Sequence, residues 1–241
     1  MRGLQIGLLG LALVATVPVV AKTAAPFAAA ITSSTRPAED VARDADRKPG
    51  ELMAFAGVKP GMTIVELAPG GGYFTRLLTL AIGPTGKLYP IAGKPSAGVA
   101  AWAAANPNVM PMAFKPGEPL VTGADMVWTT LNYHDFKNNV ADGSDAAAKY
   151  NAAAFKALKP GGIYLIVDHQ AAKGAGASVT NTLHRIEDKL VIAEVEKAGF
   201  KLEARSQLLR HPADDHTLKV QETGIRGKTD QFVLRFRKPK K

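Results

Sequence analysis

The stretch Ile64-Val65-Glu66-Leu67-Ala68-Pro69-Gly70-Gly71-Gly72-Tyr73-Phe74-Thr75 decides how this chain is read. A short apolar run, of strand length, passes through a proline and three glycines and emerges into Tyr73 to Ile82, which has helical character. Glycine allows positive φ and leaves no Cβ between the main chain and a ligand. The free N–H groups at the start of the following helix can meet polar or negatively charged groups. Ligands of doubly wound sheets bind at such carboxyl ends of strands. The plain alternative is a tight strand-to-helix turn with no ligand. The segment is not a phosphate-binding P-loop, because no Gly-Lys-Ser/Thr follows. It also lacks the six-residue dinucleotide fingerprint, because Ala68 replaces the first glycine and the third is absent.

Outward from this turn, short apolar runs alternate with helical stretches. Lys87 to Ala92 is a second strand, Ala97 to Ala105 a helix, and Val109 to Phe114 a weak third strand that Pro111 confines to an edge. Met126 to Leu131 is a fourth strand. Ala146 to Leu158 is an Ala-rich helix, and Lys159-Pro160-Gly161-Gly162 a turn. Ile163 to Val167 is a fifth strand, apolar throughout as expected for burial on both faces. His184 to Ala198 is a helix stopped by Gly199. Phe200 to Leu209 and Gln231 to Arg237 are strands, and the short span between them favours an antiparallel finish. The fold class is α/β, with a mainly parallel sheet and one reversed C-terminal strand.

Composition bounds the rest. The 241 residues are 46% hydrophobic and 21% charged, an ordinary globular balance. Absence of cysteine excludes disulfides, thiolate metal sites and a cysteine nucleophile. The net charge of +9 hints at nucleic acid, but seven basic residues against Asp230 between Arg226 and Lys241 supply +6 of it. A basic C-terminal edge of this kind is ordinarily a solvated strand and tail, so nucleic acid is not an expected partner.

Arg2 precedes nineteen uncharged residues, Gly3 to Ala21, with an apolar centre from Ile6 to Val17 and Pro18 behind it. This is the three-part form of a secretory signal, residues 1–21, and it places the folded part in the periplasm or outside the cell. An uncleaved anchor is the alternative, since about 18 apolar residues can span a bilayer. Pro18 and the Ala-rich exit favour cleavage, after which no stable membrane span is expected. Residues 22–38, rich in Ala, Ser, Thr and Pro, are expected to be a linker, and 39–241 one folded domain.

Val65-Glu66-Leu67-Ala68-Pro69-Gly70-Gly71-Gly72 resembles the first motif of class I methyltransferases that use S-adenosylmethionine (SAM), and Leu158-Lys159-Pro160-Gly161-Gly162 resembles their late-sheet motif. Asn132-Tyr133-His134-Asp135, His184-Arg185-Ile186, Ala198-Gly199-Phe200 and the segment Arg226 to Phe232 resemble a bacterial subgroup of predicted methyltransferases that often carry signal peptides. The resemblance implies a Rossmann-like, doubly wound, seven-stranded sheet with an antiparallel C-terminal strand. It implies that Glu66, Ala68, Pro69, Gly70, Gly71, Gly72 and Tyr73, with Asn132 and Tyr133, surround SAM. It also implies that Asn132 to Asp135 face the transferred methyl, and that the partner is a small or envelope-associated acceptor. Ala92 stands where many members carry the acidic residue that holds the ribose hydroxyls. That contact would contribute about 1.5–3 kcal/mol.

All five histidines lie between positions 134 and 216. His134-Asp135 follows the fourth strand and Asp168-His169 the fifth, so parallel neighbours would bring both pairs to one sheet edge. His134 with Asp135 is the candidate catalytic pair, able to accept a nucleophile's proton near neutral pH. The competing reading makes them helix-capping residues, and for Asp168-His169 a structural role is preferred. The four residue types also suit a divalent metal, but neither pair has a stereotyped ligand spacing and no metal ligand is assigned. His211 and Asp214-Asp215-His216 are expected to form a polar loop. Phe74 and Trp128, and Tyr73 in a second reading, are packing residues. The alternatives to methyl transfer are a non-catalytic ligand-binding module on the same fold and a metal-dependent enzyme using the His/Asp pairs.

Overall fold

The computed structural model describes residues 25–114, 121–138 and 146–240. The expected signal, residues 1–21, lies outside them. Among the described residues seven strands form one sheet: β1 (Thr63–Leu67), β2 (Lys87–Ala92), β3 (Met112–Ala113), β4 (Ala124–Thr130), β5 (Leu158–His169), β6 (Lys201–Ser206) and β7 (Gln231–Arg237). Their order is β3-β2-β1-β4-β5-β7-β6. Strands β1 to β5 pair in parallel, and β7 runs antiparallel to both β5 and β6. The helices are α1 (Ala28–Ile31), α2 (Ala38–Val41), α3 (Asp44–Arg47), α4 (Pro49–Ala56), α5 (Tyr73–Ile82), α6 (Ala97–Ala105), α7 (Tyr133–Phe136), α8 (Ala146–Ala157), α9 (Thr180–Leu183) and α10 (Asp188–Lys197). None of the helices among the described residues is long and apolar enough to cross a membrane.

Strand alternation explains the two cores. Ile64 of β1, Met126 and Trp128 of β4, and Leu165 and Val167 of β5 pack with Phe74, Leu77 and Leu78 of α5 on one face. Val65, Val127, Tyr164 and Ile166 pack on the other face with Ala154, Val191 and Val195 of α8 and α10. Side chains of successive strand residues point to opposite faces, so a strand covered on both sides must be apolar at every position. Phe74 and Trp128 are packing residues as expected, their rings 5.0 Å apart.

Several boundaries differ from expectation. Residues 25–38 are not a linker: Phe27 belongs to the core beside Leu52 and Phe55, and Arg36 is a buried ion-pair partner of Asp44 at 2.7 Å. Apolar burial and paired charge, invisible in the Ala/Ser/Thr-rich composition, fix this segment to the domain. The Lys159–Gly162 turn is absorbed into β5, because Gly161 N donates to Lys238 O and Lys238 N donates to Gly162 O. Gly161 has φ +79°, a conformation that explains the glycine there. The helix expected from His184 begins only at Asp188, because His184 is left-handed at φ 55°, ψ 44°. His211 and Asp214-Asp215-His216 do lie in a polar loop between β6 and β7, and that loop is pinned by ion pairs. Arg185, fully buried, grips Asp214 through two bonds of 2.8 and 3.0 Å. His216 Nε2 and Asp230 Oδ2 lie 3.1 Å apart.

Candidate functional site

The strand order reverses at β1, which lies between β2 and β4, so the chain leaving β1 and the chain leaving β4 diverge and open a crevice. The crevice measures about 160 Å3 and is lined by Glu66, Ala68, Pro69, Gly70, Gly71, Tyr73 and Asn132, together with Arg43, Arg47, Phe74, Thr130 and Leu131. Seven of the nine residues expected to hold a cofactor are therefore brought together. The other two are not. Gly72 faces backward as the left-handed residue before α5, and a Cβ there would lie 2.9 Å from Arg76 and 3.1 Å from Val99. Tyr133 is fully buried beneath the site, its hydroxyl donating to Glu194 at 2.9 Å and accepting from Asn151 at 2.7 Å. An aromatic ring that starts a short helix over a sheet gains more from burial than from lining a polar crevice.

The crevice floor is main chain. A Cβ on Gly70 or Gly71 would meet nothing within 4 Å, so the backbone is open to a ligand at both positions. Helix α5 has no side-chain cap, which leaves its first N–H groups available. Ala68 and Leu131, at the exits of β1 and β4, both have positive φ, 53° and 58°. Asn132 ties the two exits together, donating to Ala68 O at 2.9 Å and to Thr130 O at 2.6 Å. Strain of this kind persists where surrounding bonds over-determine it, and it clusters at functional sites.

Glu66 is the acidic group of the floor. It is 2% exposed and accepts a 2.6 Å bond from Thr75 Oγ1 of α5. Burial pushes its carboxyl up to about 7, against the opposing effects of the Thr75 bond and the Arg76 charge.

The wall is an arginine-rich segment the sequence reading did not single out. Asp40, buried, receives Arg76 Nε at 2.6 Å and also pairs with Arg43. Asp44 accepts from Tyr73 Oη at 2.6 Å and from Arg36. These bonds press α2 and α3 against α5, and Arg43 and Arg47 stack over the Tyr73 ring at 4.9 and 4.5 Å. Tyr73 thus both packs and lines the crevice. Among the described residues the Arg47 guanidinium makes no hydrogen bond or ion pair; its backbone N donates to Arg43 O at 3.1 Å. Burial, then the neighbouring Arg43 charge, lowers its pKa. The recurrence of Asp and Arg over residues 40–47 was the signal available in the sequence.

A second cavity of about 430 Å3 adjoins the crevice and shares Arg43, Arg47 and Leu131 with it; Asp46, His169, Gln221, Arg226 and Gln231 also line it. His169 bonds Thr229 at 2.7 Å. Burial holds His169 down at about 4 against the pull of Asp168, so its ring is neutral.

The candidate catalytic pair forms a separate cluster. His134 takes Asp168 as its main partner, with Nδ1 and Oδ1 2.8 Å apart, while its backbone N donates to Asp168 Oδ2 at 2.7 Å. Asp135 stands further off, 3.4 Å from Nε2. Asp168 is fully buried and is the orienting partner of the imidazole, a bond that ties it to the candidate pair. His184, quoted from the sequence in the His184-Arg185-Ile186 segment but given no site role there, completes the group 3.3 Å from His134 Nε2. Burial opposes the charged form of His134, but Asp168 and then Asp135 outweigh it and raise its pKa.

No protein-family model matches the chain, and no curated protein does. Solved structures do. A SAM-dependent methyltransferase from Aquifex aeolicus superposes with TM-score 0.57 over 81% of this chain and 98% of that one, at 14% identity. The fold is that of the SAM-dependent methyltransferases. One from Mesorhizobium loti gives TM-score 0.53 over 77% of this chain and 95% of that one, at 15% identity. The [4+2]-cyclase SpnF shares the fold equally well, with TM-score 0.58 over 81% of each chain at 15% identity. A methyltransferase fold therefore does not by itself fix the reaction.

Proposed function

We propose that this chain binds SAM in the glycine crevice and transfers its methyl group to a small acceptor held in the adjoining cavity. The observation that carries the reading is the bare main chain of Gly70 and Gly71 beside the buried Glu66 carboxylate. The donor set suits the methionine end of the cofactor. Glu66 matches its ammonium, and Arg43 and Arg47 match its carboxylate. The crevice alone is smaller than the roughly 300–1,000 Å3 typical of ligand sites, so it suits that end and not the whole molecule. At the ribose, Ala92 offers no carboxylate, and binding is weaker than it would be with an acid there.

When bound, SAM supplies an electrophilic methyl group on a sulfonium, so the protein's tasks are alignment and removal of the acceptor's proton. Asn132 fixes the two strand exits against each other. Arg226 and Asp46 give the acceptor cavity charged groups of both signs beyond the arginines it shares with the crevice. Asp168 engages Nδ1 of His134, so in the metal-free protein Nε2 is the atom left to take a proton, with Asp135 beside it; the pair stands outside the residues that line the crevice and the adjoining cavity. Export is part of the same proposal. The basic start at Arg2, the apolar run and the Ala-rich exit support an acceptor in or beyond the envelope, and a reporter fused behind residues 1–38 tests it.

Calorimetry of the purified protein with SAM tests the cofactor reading. Micromolar binding is expected, and Gly71→Val, whose side chain would project into open crevice, abolishes it. Absence of heat with the unaltered protein overturns it.

A further inference from the structure

We propose that His134, Asp135 and His184 form a binding site for one divalent cation of the zinc class. Three donor atoms converge there. His134 Nε2 and His184 Nδ1 are 3.3 Å apart, His134 Nε2 and Asp135 Oδ1 3.4 Å, and His184 Nδ1 and Asp135 Oδ1 3.5 Å. The triangle is nearly equilateral. Tetrahedral coordination at about 2.0–2.1 Å sets ligand atoms roughly 3.3–3.4 Å apart. Octahedral right angles at ~2.1 Å would bring them to about 3.0 Å. The observed spacing accommodates a four-coordinate ion with three protein ligands, and two imidazoles with one carboxylate, a common zinc donor set, favour that class of ion.

The surroundings agree with this assignment. Asp168, fully buried, engages Nδ1 of His134 at 2.8 Å, which leaves the lone pair on Nε2. A carboxylate behind a ligating imidazole is the usual outer support of a metal site. With that tautomer, His134 Nε2 and Asp135 Oδ1 are two acceptors facing each other, and the Nδ1–H of His184 can serve only one of them well. A cation satisfies all three atoms. His184 reaches the group from a left-handed backbone that a non-glycine residue rarely adopts. The side chains of Asp135 and His184 are 43% and 24% exposed, so an ion can enter and a fourth position stays open to water or substrate.

The site stands whether or not the glycine crevice takes SAM. With an ion bound, Nε2 of His134 is a ligand and not a base, and an acceptor hydroxyl bound at the fourth position would lose its proton through the ion's charge. The ligand set differs from the His/Asp pairs considered from sequence: Asp168 supports and does not bind, His169 is absent, and His184 is new.

The test uses full-length protein stripped with a chelator and titrated with zinc by calorimetry, and with cobalt by visible absorption. One equivalent of zinc at micromolar affinity or tighter is expected, with the intense cobalt bands of four-coordinate geometry. His184→Gly removes a ligand and relieves the left-handed backbone, so it should weaken zinc at least a hundredfold without lowering the melting temperature. Asp168→Asn should weaken it about ten- to a hundredfold. A His211→Ala control should bind normally. Zinc affinity unchanged in a folded His184→Gly protein, or no stoichiometric binding by the unaltered protein, overturns the site.

Discussion

Asp168 holds His134 by two hydrogen bonds, one to the ring at 2.8 Å and one to the backbone N–H at 2.7 Å, across 34 residues of sequence. The same carboxylate also accepts from His169 N at 2.8 Å. Three donors therefore converge on one buried group. Asp168→Asn would turn one oxygen into a donor facing another donor. Unfolding free energy should fall by about 1–3 kcal/mol, read by urea denaturation. No loss would mean that the cluster is looser than the geometry shows.

Glu66 should make stability depend on pH. Its folded pKa, about 7, lies above the ordinary 4.5 because burial disfavours the charge. Below 4.5 the group is protonated in both states, and its contribution is fully present. As pH rises through about 7 the unfolded chain is already ionised, and the contribution is lost. Glu66→Gln should flatten the melting-temperature profile over that interval, as measured by thermal scans in a series of buffers.

Cofactor affinity should move the other way with pH. An ionised Glu66 attracts the ammonium of SAM, so binding should tighten several-fold from about pH 6 to about pH 7.5. A pH-independent dissociation constant in calorimetry would remove Glu66 from the binding site.

Ala92→Asp supplies the carboxylate missing at the end of β2. SAM affinity should rise roughly ten- to a hundredfold, the effect of one charge-assisted contact. Unchanged affinity would show that the ribose lies elsewhere.

Asp40→Ala removes the buried partner of Arg76 and Arg43. The cost should be about 3–5 kcal/mol of unfolding free energy, because the buried Arg76 guanidinium loses its carboxylate and keeps only its bond to Gly71 O. SAM binding should weaken as well, because Arg43 and Arg47 lose the fastening that holds them over Tyr73.

The sequence by itself determined the sheet and its ligand edge. The apolar run at Ile64 to Leu67 and the glycines behind it are local signals: strand periodicity and backbone freedom act over a few residues, and both are written in residue type. The same holds for Gln231 to Arg237, read as a strand and found as β7. Only the tertiary structure decided which charges meet. Tyr133 lies in the cofactor motif yet turns inward, because its ring is buried and its hydroxyl finds Asn151 and Glu194. Residues 25–38 pack as part of the domain through Phe27 and Arg36, which no linker-like composition reveals. His134 bonds Asp168 in preference to its neighbour Asp135, and His184 joins them from a distant turn. Adjacent residues on a short helix point in different directions, whereas parallel strand ends bring residues far apart in sequence within hydrogen-bonding reach. Side-chain pairing is set by that convergence, and it has no local signature to read.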